Sequence, residues 1–234
     1  MKKFLIATVV LLGSISLANA EQFRIGVSLM GAAFEADGAK EIFSGDHAGN
    51  RSSTKVTKTT ADDKENAEGA FALGSVFAEF VANDQISVGL AYVPHSSESE
   101  EAVNTQNIGG TGVTTNKEAQ RINKVKVAFE DLTTVYVLAN MNDNVYAKLG
   151  YMQVEAITKE NLQSGGSYGD TTLDGFTIGL GYNMEMGDGM FVRAEASYMD
   201  IDGATLTNAN DSTKSVSADG ITGYGAAVSI GKSF

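Results

Sequence analysis

This 234-residue sequence predicts an all-β fold, an eight-stranded antiparallel up-and-down transmembrane β-barrel, on three observations. Eight segments of alternating polarity lie between Phe23 and Phe234, their connections alternate strictly long and short, and the chain opens on a secretion signal. The long connections run Glu35 to Gly69, His95 to Asn123, Lys159 to Leu173 and Asp202 to Asp219; the short ones are Ala82 to Gln85, Ala139 to Asn144 and Glu185 to Gly189. Tight turns on one side of a membrane and longer loops on the other must alternate around an even-stranded barrel, with both chain ends on the tight-turn side. The expected organisation is a signal peptide at 1–20 and a barrel domain at 21–234.

The leader carries Lys2 and Lys3, an apolar run from Phe4 to about Leu12, and Ala18 and Ala20 flanking Asn19. A basic start, a short apolar stretch and an A-x-A site mark a cleavable signal peptide, too short for a retained helix. No later run approaches the ~18 apolar residues a spanning helix needs.

In the first strand Phe23, Ile25, Val27 and Leu29 form one face, opposite Gln22, Arg24, Gly26 and Ser28. The second is ambiguous, because Phe77 and Phe80 have opposite parity and compete for the apolar side. The third sets Ile86, Val88, Leu90 and Tyr92 on one face and meets its loop at Pro94, the only proline. A proline removes a ladder hydrogen bond and belongs at such a strand end. In the fourth, Val135 and Tyr136 compete in the same way, and a bulge near Glu130 to Leu132 reconciles the parity. The fifth is Val145-Tyr-Ala-Lys-Leu-Gly-Tyr151, after the turn Asn-Met-Asn-Asp. The sixth opposes Phe176, Ile178, Leu180 and Tyr182 to Thr177, Gly179, Gly181 and Asn183. The seventh aligns Met190, Val192, Ala194, Ala196 and Tyr198. The eighth alternates Tyr224, Ala226, Val228 and Ile230 with Gly225, Ala227, Ser229 and Gly231, and ends on Phe234. A period of two with one apolar face is the strand signature. Tyr92, Tyr151, Tyr182, Tyr198, Tyr224 and Phe234 supply interfacial aromatic girdles.

The other face holds Gly, Ser and charge: Arg24, Glu79, Lys124, Lys126, Glu130, Lys148, Arg193 and Glu195. A Lys or Arg facing lipid at mid-membrane costs about 2–4 kcal/mol, so these residues are expected in the lumen. Breaking a buried pair costs about 3–5 kcal/mol. Arg24, Lys148 and Arg193 are therefore expected to pair with Glu79, Glu130 and Glu195, forming a polar plug in an interior that side chains can fill.

Composition narrows the function classes. The chain has 17 basic against 29 acidic residues, a formal net charge of −12, and no cysteine. Disulfide and thiol chemistry are excluded, and phosphate recognition, which needs clustered Lys and Arg, points away from nucleic acid. The acids concentrate in the long connections: Glu98, Glu100 and Glu101 in one, and Glu35, Asp37, Glu41, Asp46, Asp62, Asp63, Glu65 and Glu68 in another. They read as a solvated, repulsive outer surface; the sharper alternative is divalent-cation bridging to anionic lipopolysaccharide.

The signal peptide, Val145 to Tyr151, Gly175-Phe-Thr-Ile-Gly-Leu-Gly-Tyr182 and the terminal Phe234 together resemble the small eight-stranded barrels of the outer-membrane protein A, opacity and attachment-invasion type. The resemblance covers the mature chain. It implies an integral protein of the outer membrane of a diderm bacterium, with roles in envelope integrity, surface adhesion or limited solute passage. It also implies Phe234 as an assembly signal read by the barrel assembly machinery, although Lys232 stands where that signal usually has an apolar or aromatic residue. Its amine can snorkel to water from the membrane edge.

Other chemistry finds little support in the sequence. His95-Ser96-Ser97-Glu98 falls at the rim, where enzymatic barrels place a catalytic histidine, yet residues adjacent in an extended loop do not give a base 3 Å from a nucleophile and a third orienting group. His47 is the other histidine. Gly231-Lys232-Ser233 copies the end of a phosphate loop without its first glycine or its helix. Asp200-Ile-Asp202-Gly203 starts like a calcium loop but has Asp211 where the twelfth-position Glu belongs. Gly109-Gly-Thr-Gly112 lacks the strand and helix of a nucleotide site. No catalytic residue, cofactor or metal site is expected. The expected function is a non-enzymatic envelope or surface-interaction role, in which a monomeric barrel sits in outer-membrane lipid and lipopolysaccharide and meets an extracellular ligand through its acidic loops. The alternative is a narrow passive channel with cation preference. A soluble lipid-binding barrel is disfavoured by the Gly, Ser and charged interior.

Overall fold

The computed structural model describes residues 22–36, 39–43, 67–107, 120–162 and 166–234; the leader, His47 and Gly109 to Gly112 lie outside them. Thirteen strands are described: β1 (Gln22–Ala36), β2 (Ala39–Phe43), β3 (Ala67–Val81), β4 (Ile86–Tyr92), β5 (Ser97–Glu98), β6 (Ala102–Asn107), β7 (Gln120–Asn140), β8 (Val145–Leu162), β9 (Thr171–Gly187), β10 (Met190–Ile201), β11 (Ala204–Thr207), β12 (Lys214–Ala218) and β13 (Ile221–Ser233). Eight of them form the wall in the order β4-β3-β1-β13-β10-β9-β8-β7, every pairing is antiparallel, and β4 pairs with β7 to close the barrel. The chain ends meet at the tight-turn side, where Phe234 N donates to Phe23 O at 2.8 Å.

The tight turns form where side chains replace backbone partners. Asn83 Oδ1 accepts from the amides of Gln85 and Ile86, both at 2.9 Å, and Asn142 Oδ1 from those of Asn144 and Val145 at 3.0 and 2.8 Å. Such Asx turns give the chain its reversal before the next strand begins. Between β9 and β10 the reversal uses a left-handed run, with φ of 86° at Gly187, 51° at Asp188 and 74° at Gly189. The long connections hold structure that the sequence reading left as loop. β2, β11 and β12 make a separate three-stranded sheet, while β5 and β6 pair with the extended start of β7.

The alternation divides outside from inside as expected. Phe23, Ile25, Val27, Leu29, Val137, Leu149, Phe176, Ile178, Leu180, Val228 and Ile230 stand exposed on the outer surface, Leu29 at 65%. An apolar exterior of this extent is stable in lipid and not in water. The two ambiguous strands resolve clearly: Phe77 and Tyr136 are buried in the lumen at 8% and 5% exposure, leaving Phe80 and Val135 on the outward parity. In β7 the register jumps between Glu130 and Thr133, with Asp131 at φ 54°. This is the bulge that the competing parities called for.

That bulge corrects one expectation. Asp131 and Leu132 together oppose one residue of β8, so parity inverts across them. Upstream of the bulge, Lys124, Lys126 and Glu130 share the outward parity of Glu155 and Lys159. They do not reach the lumen.

The lumen is also less uniform than expected. Its loop-side half is an apolar core of Ala32, Leu73, Met152, Val154, Ala156, Leu173, Met199 and Ile201, with Met30, Phe34, Phe71 and Phe129 packed against it. Only the turn-side half is polar. There, lumenal glycines face aromatic rings on the neighbouring strand: Gly89 opposes Tyr136 and Gly181 opposes Tyr146. A Cβ at either glycine would stand within 2.6 Å of atoms at the tip of that ring. Replacing Gly181 with Val should therefore displace Tyr146 and destabilise the barrel by about 1–3 kcal/mol. The measurement is the urea midpoint of the heat-modifiable folded band on a gel, and an unchanged midpoint would refute the packing account.

Candidate functional site

The hydrogen-bonded network in the polar half of the lumen draws on five strands, β3, β7, β8, β9 and β10. Glu79 lies three residues before the β3–β4 turn, and Arg193 three after the start of β10, so both project inward just above the tight-turn side. Arg193 Nη1 and Nη2 donate to Glu79 Oε1 and Oε2 at 2.5 and 2.8 Å, a two-pronged pair across the barrel. Glu79 is 1% exposed and Arg193 5%. Tyr136 Oη donates to the same carboxylate at 2.9 Å, and Arg193 Nε donates to Asn183 Oδ1 at 3.1 Å. The guanidinium lies 4.5 Å from the Phe191 ring centroid, 5.4 Å from that of Tyr146 and 5.8 Å from that of Phe77. Fork geometry and low local dielectric make this the strongest ion pair in the lumen.

A second pair sits beside it. Lys148 Nζ donates to Glu195 Oε1 at 2.8 Å, Tyr146 Oη donates to Glu195 Oε2 at 2.9 Å, and the Lys148 amine stands 4.8 Å over the Tyr136 ring. The tyrosines thus link the two pairs, each ring touching one cation and each hydroxyl one carboxylate. Of the six residues expected in this network, the structure brings together Glu79, Lys148, Arg193 and Glu195. Arg24 faces the same space but makes no ion pair among the described residues; its guanidinium is 5.8 Å over Phe191. Glu130 is outside the barrel for the reason given above. The sequence reading missed Tyr136, Tyr146, Phe77, Phe191 and Asn183. Tyr146 shares parity with Lys148, which is the signal that marks it as lumenal.

Between this cluster and the apolar half lies a cavity of about 80 Å³. Ser28, Ser75, Thr134, Lys148, Glu195 and Ser197 line its polar side, and Met30, Met152 and Met199 its apolar side. Ligand pockets run from about 300 Å³ upward, so it suits water and not a lipid. Lower in the lumen, Ser87 Oγ is buried without a hydrogen-bond partner.

On the outer surface, tyrosines mark the loop-side edge of the apolar belt. Tyr92 Oη donates to Asp131 at 2.5 Å, Tyr151 Oη to Asp174 at 2.5 Å and Tyr198 Oη to Asp200 at 3.4 Å, while the rings of Tyr198 and Tyr224 meet edge-on at 5.4 Å. Each places its ring toward lipid and its hydroxyl on a carboxylate at the water side. At the other edge Tyr182 and Phe234 are exposed, and the Lys232 amine lies 5.5 Å from the Phe234 ring centroid. Beyond the belt, Glu98 on β5 receives Lys126 and Lys159 at 2.6 and 2.5 Å, and Glu101 receives Lys124 at 2.7 Å. The two lysines hold the Glu98 carboxyl down to about 2.

His95 shows no nucleophile–base geometry. Its Nε2 accepts from the Gly74 amide at 2.9 Å and its Nδ1 lies 3.4 Å from Ser96 O. Gly231 to Ser233 belongs to the β13 ladder and not to a phosphate loop. Among the described residues no group of three or more His, Asp or Glu side chains is placed to hold a metal ion.

Two outcomes are expected of these charges. Arg193→Ala leaves Glu79 buried without its partner and should cost about 3–5 kcal/mol of unfolding free energy, whereas E79L/R193M should recover most of it; a single variant as stable as the parent would refute the account. Glu98 is depressed in the folded state, so its contribution is full above the ordinary carboxylate range and is lost only as pH falls toward about 2. Carboxyl carbon NMR should show Glu98 still ionised at pH 3.5, and protonation near 4.5 would contradict the two-lysine clamp.

No family profile matches the sequence and no curated protein matches it. Among solved structures the chain is similar to the outer-membrane protein AlkL in lipid bilayers, at 10% identity over 94% of each chain with a TM-score of 0.49. It is similar to OprG of Pseudomonas aeruginosa at 11% identity, covering 92% of this chain and 97% of that one with a TM-score of 0.46. It is also similar to Ail, the attachment invasion locus protein of Yersinia pestis, at 9% identity over 89% and 99% with a TM-score of 0.35. At these values the likeness carries no functional assignment. The closed ladder, apolar belt and aromatic edges themselves make the chain an outer-membrane-type barrel.

Proposed function

We propose that this protein is a non-enzymatic surface barrel, serving envelope structure or contact with an extracellular ligand. The barrel anchors the chain in outer-membrane lipid, Phe234 serves as its assembly signal, and the acidic loop-side segments present to the outside beside lipopolysaccharide. The observation that carries this reading is the occluded lumen. Glu79, Arg193, Tyr136, Tyr146, Lys148 and Glu195 occupy its turn-side half and apolar side chains its loop-side half, with a cavity of about 80 Å³ between them. With side chains placed across both halves of its lumen, the barrel has its exposed chemistry in the loops.

One observation favours a second reading, a narrow channel: the polar cavity beside Lys148 and Glu195. The two differ in a planar bilayer. The refolded protein, shown to be folded by heat-modifiable migration, is expected to give no single-channel steps at 1 M KCl. Stable steps would overturn the anchoring reading, and their reversal potential in a salt gradient would report whether the acidic loops confer cation preference.

A further inference from the structure

The barrel wall contains a seam where pairing stops before the strand does. β3 runs from Ala67 to Val81, and β4 pairs with it only from Val76 to Val81 because β4 ends at Tyr92. From Ala67 to Ser75 that edge of β3 has no strand partner among the described residues, although β1 pairs with its other edge along the whole length. The chain beyond Tyr92 turns away toward β7. Val93 N donates to Leu132 O at 2.9 Å, Ser99 N to Val127 O at 2.8 Å, and β5 and β6 both pair with β7. Pro94 has no amide with which to extend the ladder.

At the apex of this seam a side chain takes the place of a strand. The Gly74 amide, the next outward position of β3 above Val76, donates to His95 Nε2 at 2.9 Å. The donor is a backbone N–H, so Nε2 must be the unprotonated nitrogen. The proton then sits on Nδ1, which faces Ser96 O at 3.4 Å. The bond therefore exists only with a neutral imidazole. A second proton would set an N–H against an N–H, and histidine is the side chain that changes charge between pH 5 and 8.

The geometry points to a pH-sensitive latch: neutral His95 closes the β3 edge at Gly74, and protonation opens it there, while the arm beyond stays paired with β7. Release extends the seam toward Leu73, Val93 and Leu132, which border the mid-lumen cavity. The groups facing His95 do not cancel the effect. The outward positions of β3 here are Ala70, Ala72, Gly74 and Val76, none of them titratable. On β7 the Asp131 carboxylate is already taken by Tyr92 Oη, and Glu130 lies upstream on the same face. On the arm itself Glu98 is held by Lys126 and Lys159.

The test is hydrogen exchange of the Gly74 amide in the refolded protein, expressed as a protection factor so that the intrinsic pH dependence of exchange is removed. Loss of one hydrogen bond corresponds to about a tenfold change. Gly74 protection is expected to fall about tenfold between pH 7.5 and pH 5, in step with protonation of the His95 ring nitrogens, while the β3–β4 amides below it hold steady. In His95→Ala the Gly74 protection is expected to be low at both pH values. Equal protection of Gly74 at the two pH values in the parent would overturn the latch. So would full protection, or a retained pH response, in His95→Ala.

Discussion

Hydrocarbon offers no hydrogen bonds, so every backbone N–H and C=O at membrane depth has to find its partner inside the protein. Pairing of β1 with β13, the first and last wall strands in the chain, meets that demand by closing the wall into a ring. The other features follow from closure. Antiparallel neighbours connect by tight turns on one side, where asparagine side chains and a left-handed Gly-Asp-Gly run reverse the chain with few residues. Every second side chain must face lipid and be apolar. The remainder are confined to a lumen that eight strands leave barely wide enough for side chains.

The lumen solves this confinement in two ways. Toward the loops it is packed as an ordinary apolar core, with methionine and aliphatic side chains interdigitating across the barrel. Toward the tight turns it is packed with charge, made tolerable by bidentate pairing and by tyrosines that share their hydroxyls with the carboxylates. Glycine on one strand and an aromatic ring on the next make room for each other, which explains why the inward face reads as glycine-rich. The rings are supplied by residues whose neighbours in sequence face lipid. Arg24 stands outside the two ion pairs and rests on Phe191.

Where the ladder is incomplete, side chains stand in for strands. His95 does so at the β3 edge, and the Asp170 carboxylate accepts the Thr158 amide where β8 outruns β9. These substitutions lie on the loop side, among arms that continue beyond the belt and fold into their own small sheets. The same region carries Glu98 and Glu101 against three lysines, so part of the acidic surface is neutralised by outward cations, Lys124 and Lys126 placed there by the β7 bulge and Lys159 by β8.

The sequence by itself determined the number of wall strands, the side on which the chain ends lie, the apolar face of five strands and the place of the bulge. These are consequences of a period-two pattern against lipid, a constraint that acts on each strand separately and so leaves its mark locally. The small strands β2, β5, β6, β11 and β12 were not legible, because short polar segments pair only when a neighbour is already in place. Which charges meet was decided by the tertiary structure. Glu79 and Arg193 are 114 residues apart and touch through the stagger of strands around a closed ring, and the two-residue bulge sends Glu130 outside while leaving Lys148 and Glu195 within. Contacts across a lumen depend on register summed over several strands, and no single segment of the sequence carries that sum.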